Sequence, residues 1–223
     1  MSVITKYGRD VVIKMLLLTL IIDAIAYLIN LDILKIILFA FSLLLFIFTM
    51  YFFRDPERKL PDNLKTDDVL SPADGKVVLI ENMENPDGGF IEKGESVFKV
   101  CIFLSPLNVH VNRIPVTGEV GYYEYIKGEY LVAFNHKSSD KNERTVIGIT
   151  SENGKKIIFK QIAGFVARRI VCTLKVGNNV FAGKRFGMIK FGSRCDLIFS
   201  SNAKLNVKVG DKVKAGETII AEL

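Results

Sequence analysis

The sequence contains few residues from which a metal site could be built. Its 223 residues include two histidines and three cysteines, and the cysteines form no Cys-x-x-Cys pair. Because structural zinc sites combine Cys and His ligands at short spacings, we expect no metal. Cys101, Cys172 and Cys195 also argue against a disulfide framework, since two of them lie in apolar runs where cysteine behaves as a small hydrophobic residue. This usage fits a reducing compartment.

The chain is basic, with a formal net charge of +6 and a pI near 9.1. Such a balance suits nucleic acid, an anionic membrane or an acidic substrate equally well. The distribution of apolar residues favours the membrane, because 49% of the chain is hydrophobic and most of the excess lies before Arg54. We therefore expect a membrane partner and no nucleic acid.

Two apolar stretches near the N-terminus predict a helical hairpin. Residues 36–53 would form a helix of about 27 Å, close to the ~30 Å hydrocarbon core of a bilayer. Residues 15–29 are shorter and include Asp23, so this helix spans with its neighbour or lies partly in the interface. A cleavable signal peptide is the competing interpretation, but the apolar material is too long for one and no small-residue cleavage site follows it.

Positive charges lie on the outer flanks of this pair, at Lys6, Arg9, Lys14, Arg54, Arg58 and Lys59. The positive-inside rule then predicts that both ends are cytoplasmic, with the globular part beneath the inner face of the cell membrane. We expect a membrane-anchoring hairpin at residues 1–55 and a polar linker at residues 56–68, which begins with a proline stop.

Residues 69–223 read as a β-rich domain, so the fold class is mainly β with a transmembrane helical hairpin. Short turns separate nine strand-like runs, and one helix is predicted around residues 123–132. Residues 207–217 resemble the hairpin of lipoyl domains and residues 71–77 look like its partner, but no lysine stands where a carrier domain requires one. We read the paired half-barrels as scaffold. The nine runs are residues 75–80, 97–104, 119–125, 146–150, 157–163, 171–174, 187–191, 197–200 and 204–209.

Gly192-Ser193 interrupts β-hairpin sequence, which makes Ser193 a candidate nucleophile in a tight turn; ordinary turn chemistry is the alternative. His110 and Asp74 are candidates for a base and for the carboxylate that orients it. Taken alone, each also fits a structural role, as a hydrogen-bonded histidine and an Asp-Gly turn. His136 lies in polar loop sequence, where little chemistry is expected.

An ordered set of motifs resembles phosphatidylserine decarboxylase proenzymes of the short, archaeal-type subgroup. These motifs are Phe53-Arg54-Asp55-Pro56, Ser71-Pro72-Ala73-Asp74-Gly75, Leu104-Ser105-Pro106, Val109-His110-Val111-Asn112-Arg113, Asn142-Glu143-Arg144, Gln161-Ile162-Ala163-Gly164, Ala167-Arg168-Arg169-Ile170 and Phe191-Gly192-Ser193-Arg194. Each motif is weak alone, and their common order carries the resemblance.

The resemblance implies that Ser193 attacks the Gly192 carbonyl, with His110 as base and Asp74 orienting it. The chain would split into residues 1–192 and 193–223, and Ser193 would become a covalent pyruvoyl group. Phosphatidylserine would form a Schiff base with that group and lose CO2, and His110 would return a proton. Homodimers are also implied.

Substrate contacts are less clearly indicated. One of Arg168 and Arg169 is expected to hold the lipid phosphate or the carboxylate, and a structural salt bridge is the alternative. Longer members carry a second histidine where this chain has Arg113, so the sharing of roles between His110 and Arg113 stays open. Residues 142–144 are expected to form a loop that closes over the substrate, and a solvated loop is the alternative.

Two other functions fit the sequence. A membrane-anchored adaptor would use the half-barrels to bind a partner, and a Ser/His/Asp hydrolase would use the same three polar residues. Neither would cleave itself, and the hydrolase lacks the Gly-x-Ser-x-Gly elbow.

Overall fold

A computed structural model describes residues 4–85, 89–128, 141–164, 169–190 and 193–223. Two compact units are present, a helical unit that extends to Pro56 and a β unit from Glu57 to Leu223. The helical unit contains α1 (Arg9–Leu28) and α2 (Asp32–Phe52). The strands of the β unit are β1 (Asp68–Leu70), β2 (Gly75–Glu84), β3 (Ser96–Leu104), β4 (Val111–Arg113), β5 (Gly118–Ile126), β6 (Arg144–Ser151), β7 (Lys156–Ala163), β8 (Arg169–Cys172), β9 (Asn179–Val180), β10 (Arg185–Lys190), β11 (Ser193–Ser200), β12 (Lys204–Leu205), β13 (Lys212–Val213) and β14 (Ile219–Glu222).

The helical unit confirms the two predicted apolar helices. They contain 20 and 21 residues, so each is about 30 Å long, and an 18-residue window in each has a mean hydropathy of 2.3 and 2.6, respectively. Both are long and apolar enough to cross a membrane. The few polar side chains between them face each other: Thr19 and Ser42 are buried, and the Ser42 hydroxyl donates to the Thr19 carbonyl at 3.3 Å.

The β unit confirms the mainly β fold class. Its largest sheet has eight strands in the order β13-β2-β3-β11-β7-β6-β5-β9, and every neighbouring pair is antiparallel. Among the described residues, the unit also has two three-stranded sheets, β4-β10-β8 and β1-β14-β12. All nine predicted runs coincide at least partly with strands.

The helix predicted around residues 123–132 is wrong over its first part, because Tyr123 to Ile126 continue β5. Tyr122, Tyr123 and Tyr125 each pair with a residue of β6. Aromatic side chains favour a pleated surface, and pairing to a neighbouring strand outweighs the weak helical signal. From position 129 onward, the predicted helix lies outside the described residues.

The two predicted half-barrel segments contact each other. Val213 of β13 pairs with Gly75 at the start of β2, and the Gly216 N–H donates to the Ser71 carbonyl at 2.9 Å. Their likeness to lipoyl domains remains a prediction.

The main core lies between the inner face of the large sheet and the smaller sheets. Phe159 of β7 contacts Phe186 of β10 edge to face, with ring centroids 5.3 Å apart, and both rings are buried. Leu197 of β11 and Ile220 of β14 belong to the same cluster. Burial of each such side chain contributes about 1.5–3 kcal/mol.

The segment predicted as a linker is attached to the β unit by ion pairs. Arg58 lies 2.6 Å from the carboxylate of Asp74, and Glu57 lies 3.1 Å from Arg185. The Arg185 guanidinium beside Glu57 lowers the pKa of that carboxyl. Residues 57 and 58 are therefore part of the folded unit.

Candidate active site

Ser193 is the first residue of β11, in the middle of the large sheet. It pairs with Leu104 of β3 on one side and with Ala163 of β7 on the other. Its side chain is fully buried, and its hydroxyl oxygen has no hydrogen-bond partner among the described residues. A buried hydroxyl without a partner is unfavourable for stability. Gly192 lies outside the described residues.

His110 follows a tight turn at the end of β3 and is fully buried. Leu104, which pairs with Ser193, is six residues before it in the chain. The His110 carbonyl accepts a hydrogen bond from the Ile189 N–H at 3.4 Å, and Ile189 is four residues before Ser193. Two short stretches of chain therefore hold His110 and Ser193 at the same end of the sheet.

The ring of His110 is oriented by a backbone carbonyl. Its Nδ1 lies 2.9 Å from the carbonyl oxygen of Asn108. A carbonyl oxygen only accepts hydrogen bonds, so Nδ1 carries the proton, and in the neutral ring Nε2 carries the lone pair. This is the tautomer in which Nε2 can act as a base.

The Asn108 carbonyl is itself fixed by a compact turn. The side-chain oxygen of Asn108 accepts hydrogen bonds from the N–H and from the hydroxyl of Ser105, both at 2.8 Å, and the Asn108 N–H donates to the Ser105 carbonyl at 3.0 Å. Three hydrogen bonds thus position the group that orients His110.

Asp74 is buried and its two carboxylate oxygens have different partners. One accepts a hydrogen bond from the Ala215 N–H at 2.9 Å, and the other accepts one from Arg58 at 2.6 Å. The chain just before Asp74 contacts β4, since the Pro72 carbonyl accepts the Arg113 N–H at 2.9 Å. Asp74 therefore lies beside the β4 end of the candidate site, where Arg58 compensates its charge.

The basic candidates occupy two different places. Arg113 is buried, and its guanidinium donates to the Gly183 carbonyl at 2.9 Å. Arg169 is exposed at the start of β8 and pairs with Lys190, a buried residue three positions before Ser193. Arg169 and Lys190 thus bring two cations to the Ser193 end. Arg168 and His136 lie outside the described residues.

A chain of buried polar side chains lies next to Ser193, on the same side of the sheet. Thr145 donates to the Gln161 side-chain oxygen at 2.8 Å, Gln161 donates to Asn112 at 2.9 Å, and Asn112 contacts the Cys195 sulfur at 3.5 Å. Burial raises the pKa of the Cys195 thiol, so it stays protonated. This network links four strands beneath the site, β6, β7, β4 and β11.

Gly187 makes room for this network. A Cβ at this position would collide with the Val171 carbonyl and would lie 3.1 Å from the Gln161 side-chain nitrogen. The close approach of the β8 backbone to β10 therefore requires glycine at this position.

Asn142 and Glu143 are buried rather than solvated. The Asn142 amide donates to the Ala163 carbonyl at 2.7 Å, and the Ala163 N–H donates to the Glu143 carbonyl at 2.9 Å. Since Ala163 pairs with Ser193, this segment supports the strand next to the candidate nucleophile.

The residue after Ser193 lies on the opposite face of the sheet. Arg194 and Asp196 form an ion pair with Nε to Oδ1 at 2.8 Å and a second contact at 3.0 Å, and both side chains are almost fully buried. Because β11 alternates its side chains between faces, this pair and Ser193 point in opposite directions.

Sequence reasoning missed several of these residues. Ser105 and Gln161 stood inside motifs that were recognised only as whole patterns, and Asn108 lay between two of those motifs. A local signal was present for each: Ser-Pro-x-Asn is typical of a turn, and Gln161 is a polar residue at an inward position of an apolar strand. Nothing in the sequence indicated that Arg58 pairs with Asp74.

Comparison with known proteins identifies the family. Residues 45–221 match the family model described as phosphatidylserine decarboxylase. The chain is 45% identical over 218 residues to the phosphatidylserine decarboxylase proenzyme of Chlorobium chlorochromatii, covering 97% of this chain and 98% of that protein. It is 46% identical over 218 residues to the proenzyme of Prosthecochloris aestuarii, covering 98% of this chain and 96% of that protein. The chain therefore belongs to the phosphatidylserine decarboxylase family.

Proposed function

We propose that this protein is a carboxy-lyase that converts phosphatidylserine to phosphatidylethanolamine in phospholipid biosynthesis. Membership of the family supports the substrate and the reaction. The observation that carries the proposal is the buried Ser193 hydroxyl, which lacks a hydrogen-bond partner among the described residues and lies at the same end of the sheet as His110.

The first proposed step is self-cleavage at Gly192-Ser193. Nε2 of His110 accepts the Ser193 hydroxyl proton, and the oxygen attacks the Gly192 carbonyl carbon. The peptide C–N bond breaks as the ester C–O bond forms. Loss of the Ser193 Cα proton then breaks the Cβ–O bond, which releases Gly192 as a carboxylate and leaves dehydroalanine. Water replaces its nitrogen, and ammonia leaves.

The surroundings of Ser193 fit the pyruvoyl group that this cleavage produces. Leu104 and Ala163 flank the position, and both are fully buried. Replacing the Ser193 hydroxyl with a small uncharged ketone therefore breaks no hydrogen bond to a described residue. A pyruvoyl group supplies an electron sink for the bond to the departing carboxylate.

His110 and the nearby cations are proposed to act on the substrate. With Nδ1 bonded to Asn108, His110 presents Nε2, which returns a proton to the carbon that has lost CO2. Arg169 and Lys190 are proposed to attract the anionic head group. Arg168 is a second candidate for this role. For Arg113 and Asp74 we propose a supporting role at the β4 end, with Asp74 paired to Arg58.

The cleaved subunits, residues 1–192 and 193–223, are proposed to stay together. β11 belongs to the smaller subunit and pairs along its length with β3 and β7, which belong to the larger one. We also propose a homodimer, as the family resemblance implies.

The helical unit is proposed as the membrane anchor, at residues 1–55. Two helices of sufficient length and hydropathy support this. The basic flanks support a cytoplasmic position for the β unit, next to the leaflet that presents anionic lipid.

The test is release of labelled CO2 from vesicles that contain carboxyl-labelled phosphatidylserine. The wild type is expected to release CO2, whereas Ser193→Ala and His110→Ala are expected to release none above background. Ser200→Ala, at the other end of β11, is the control and should keep wild-type activity. CO2 release by Ser193→Ala at the wild-type rate would overturn the proposal.

A further inference from the structure

Glu143 is a buried acidic residue whose side chain has no role in the steps proposed above. It is 6% exposed, and the Ala163 N–H donates to its backbone carbonyl at 2.9 Å. Ala163 in turn pairs with Ser193 on the next strand. Glu143, Ala163 and Ser193 therefore form one row across the large sheet, at the end where the candidate active site lies.

The side chains of this row point to the inner face of the sheet. Two positions along the same strands, the next row consists of Thr145, Gln161 and Cys195, whose side chains belong to the buried polar network. Side chains two positions apart on a strand share a face. Glu143 and Ser193 therefore point to the face on which that network lies.

The residue between Glu143 and Ser193 is small. Adjacent strands lie roughly 4.8 Å apart, so the Cα atoms of Glu143 and Ser193, two strands apart, are separated by about 10 Å. The side chain of Ala163 is a single methyl group. The carboxylate of Glu143 can therefore extend over it towards a small group bound at position 193.

The other buried acidic residues described in the β unit lie elsewhere. They are Asp68 in β1, Asp74 at the β4 end beside Arg58, and Asp196 on the opposite face of β11 beside Arg194. Among the described residues, Glu143 is thus the buried acid that shares both a row and a face with Ser193.

The cations at the Ser193 end do not account for selection of an amine. Arg169 and Lys190 attract phosphate and carboxylate groups, and such groups occur in many anionic lipids. Phosphatidylglycerol, for example, is anionic but has no ammonium group. An ammonium only donates hydrogen bonds, and its strongest partner is a carboxylate. Recognition of a serine head group therefore calls for an acidic residue beside the cations.

We propose that the carboxylate of Glu143 binds the ammonium group of the serine head group and thereby selects a phospholipid that carries a primary amine. This role rests on the proposed function, which places the substrate at position 193. The backbone around Glu143 is held in place, since the Asn142 amide donates to the Ala163 carbonyl at 2.7 Å.

The test measures binding rather than turnover, with two soluble head-group compounds. Glycerophosphoserine carries the ammonium, whereas its N-acetyl derivative keeps the phosphate and carboxylate but has no ammonium. Titration calorimetry is carried out on cleaved full-length protein after borohydride treatment, which reduces a ketone to an alcohol that cannot react with an amine. Glu143→Gln removes the charge and keeps the size of the side chain. Glu152→Gln, in the exposed turn at the other end of β6, is the matched control.

The wild type and Glu152→Gln are expected to bind glycerophosphoserine about tenfold more tightly than the N-acetyl compound, because a charge-assisted hydrogen bond is lost on acetylation. Glu143→Gln should bind both compounds within about twofold of each other. The wild-type preference in Glu143→Gln would overturn the proposal, and so would an equal loss of preference in Glu152→Gln.

A second variant keeps the test decisive if Glu143→Gln does not fold. Glu143→Asp retains the negative charge on a shorter side chain and should still prefer the free amine at least about threefold. A wild type that binds both compounds equally while it releases CO2 from vesicles would overturn the role of Glu143 and leave the decarboxylase function intact. A wild type that releases no CO2 would instead contradict the proposed function.

Discussion

Nδ1 of His110 lies 2.9 Å from the backbone carbonyl oxygen of Asn108. This bond fixes the ring tautomer through the Ser105–Asn108 turn and leaves Nε2 as the basic nitrogen. A carbonyl orients the ring, whereas a carboxylate in the same place would also stabilise the imidazolium. The position of the turn therefore decides whether His110 can serve as a base.

Asn108→Ala should slow self-cleavage about 10- to 100-fold, because it removes the oxygen that accepts two hydrogen bonds from Ser105. Asn108→Asp keeps an acceptor oxygen and should cleave within about threefold of the wild type. The half-time of cleavage is measured on gels after cell-free synthesis. Wild-type cleavage by Asn108→Ala, at an unchanged thermal midpoint, would show that the turn does not position His110.

The buried pair Arg194–Asp196 should be far more sensitive than an exposed one. Arg194→Met removes the cation that contacts the buried Asp196 carboxylate at 2.8 Å and should lower the free energy of unfolding by about 3–5 kcal/mol. Denaturant unfolding is followed by circular dichroism in the uncleaved Ser193→Ala background. Lys65→Met, which breaks the exposed pair Lys65–Glu222, is the control and should have no measurable effect. Equal effects at both sites would contradict this assignment.

The Thr145–Gln161–Asn112 network should respond as a unit. Gln161→Leu leaves the Thr145 hydroxyl and the Asn112 oxygen without this partner and should lower the free energy of unfolding by about 2–4 kcal/mol. In the Gln161→Leu background, Thr145→Val should lower the free energy of unfolding by less than it does in the wild type. A double-mutant cycle measures this difference. Strict additivity would mean that the two side chains do not share a network.

Cys101 should make the protein less stable at alkaline pH. Burial, with the Asp196 carboxylate adding to it, raises the pKa of this thiol in the folded chain, whereas the unfolded thiol has a pKa of about 8.5. The unfolded state therefore loses a proton that the folded state keeps, and the free energy of unfolding falls as pH rises above that value, by about 1.4 kcal/mol per pH unit for one thiol.

Cys101→Ala tests this directly through the slope of unfolding free energy between pH 9 and 11. The variant should be less stable at pH 7, because a buried side chain is shortened. Its alkaline slope should be shallower by about the contribution of one thiol. The same slope in both proteins would show that Cys101 does not titrate as its burial implies.

Much of the fold could be predicted because long strands and long apolar helices leave periodic patterns. The side chains of β3, β7 and β11 either alternate between the two faces of the sheet or are buried along the strand. Turn residues mark the ends of these strands. Short strands such as β9 and β13 have two residues each, which is too few for any period. They form only because longer neighbours supply their partners.

The candidate site was predictable in its residue types but not in its pairings. Ser193, His110 and Asp74 were found by their chemistry, and the chain order of the motifs indicated the family. That Asn108 contacts His110 through its backbone, and that Arg58 pairs with Asp74 across 16 positions, depends on the tertiary structure. Side-chain identity carries no signal for a backbone acceptor, so the contact between Asn108 and His110 left no pattern in the sequence, and the role of Asp74 in orienting His110 stays a prediction.

Intact mass spectrometry of the purified protein tests the central claim most directly. The wild type should give two species, residues 1–192 with an ordinary carboxyl terminus and residues 193–223 lighter than the serine peptide by one ammonia. Ser193→Ala should remain a single chain, and Ser200→Ala should be cleaved like the wild type. A wild-type protein that stays uncut at 25.0 kDa would contradict the account.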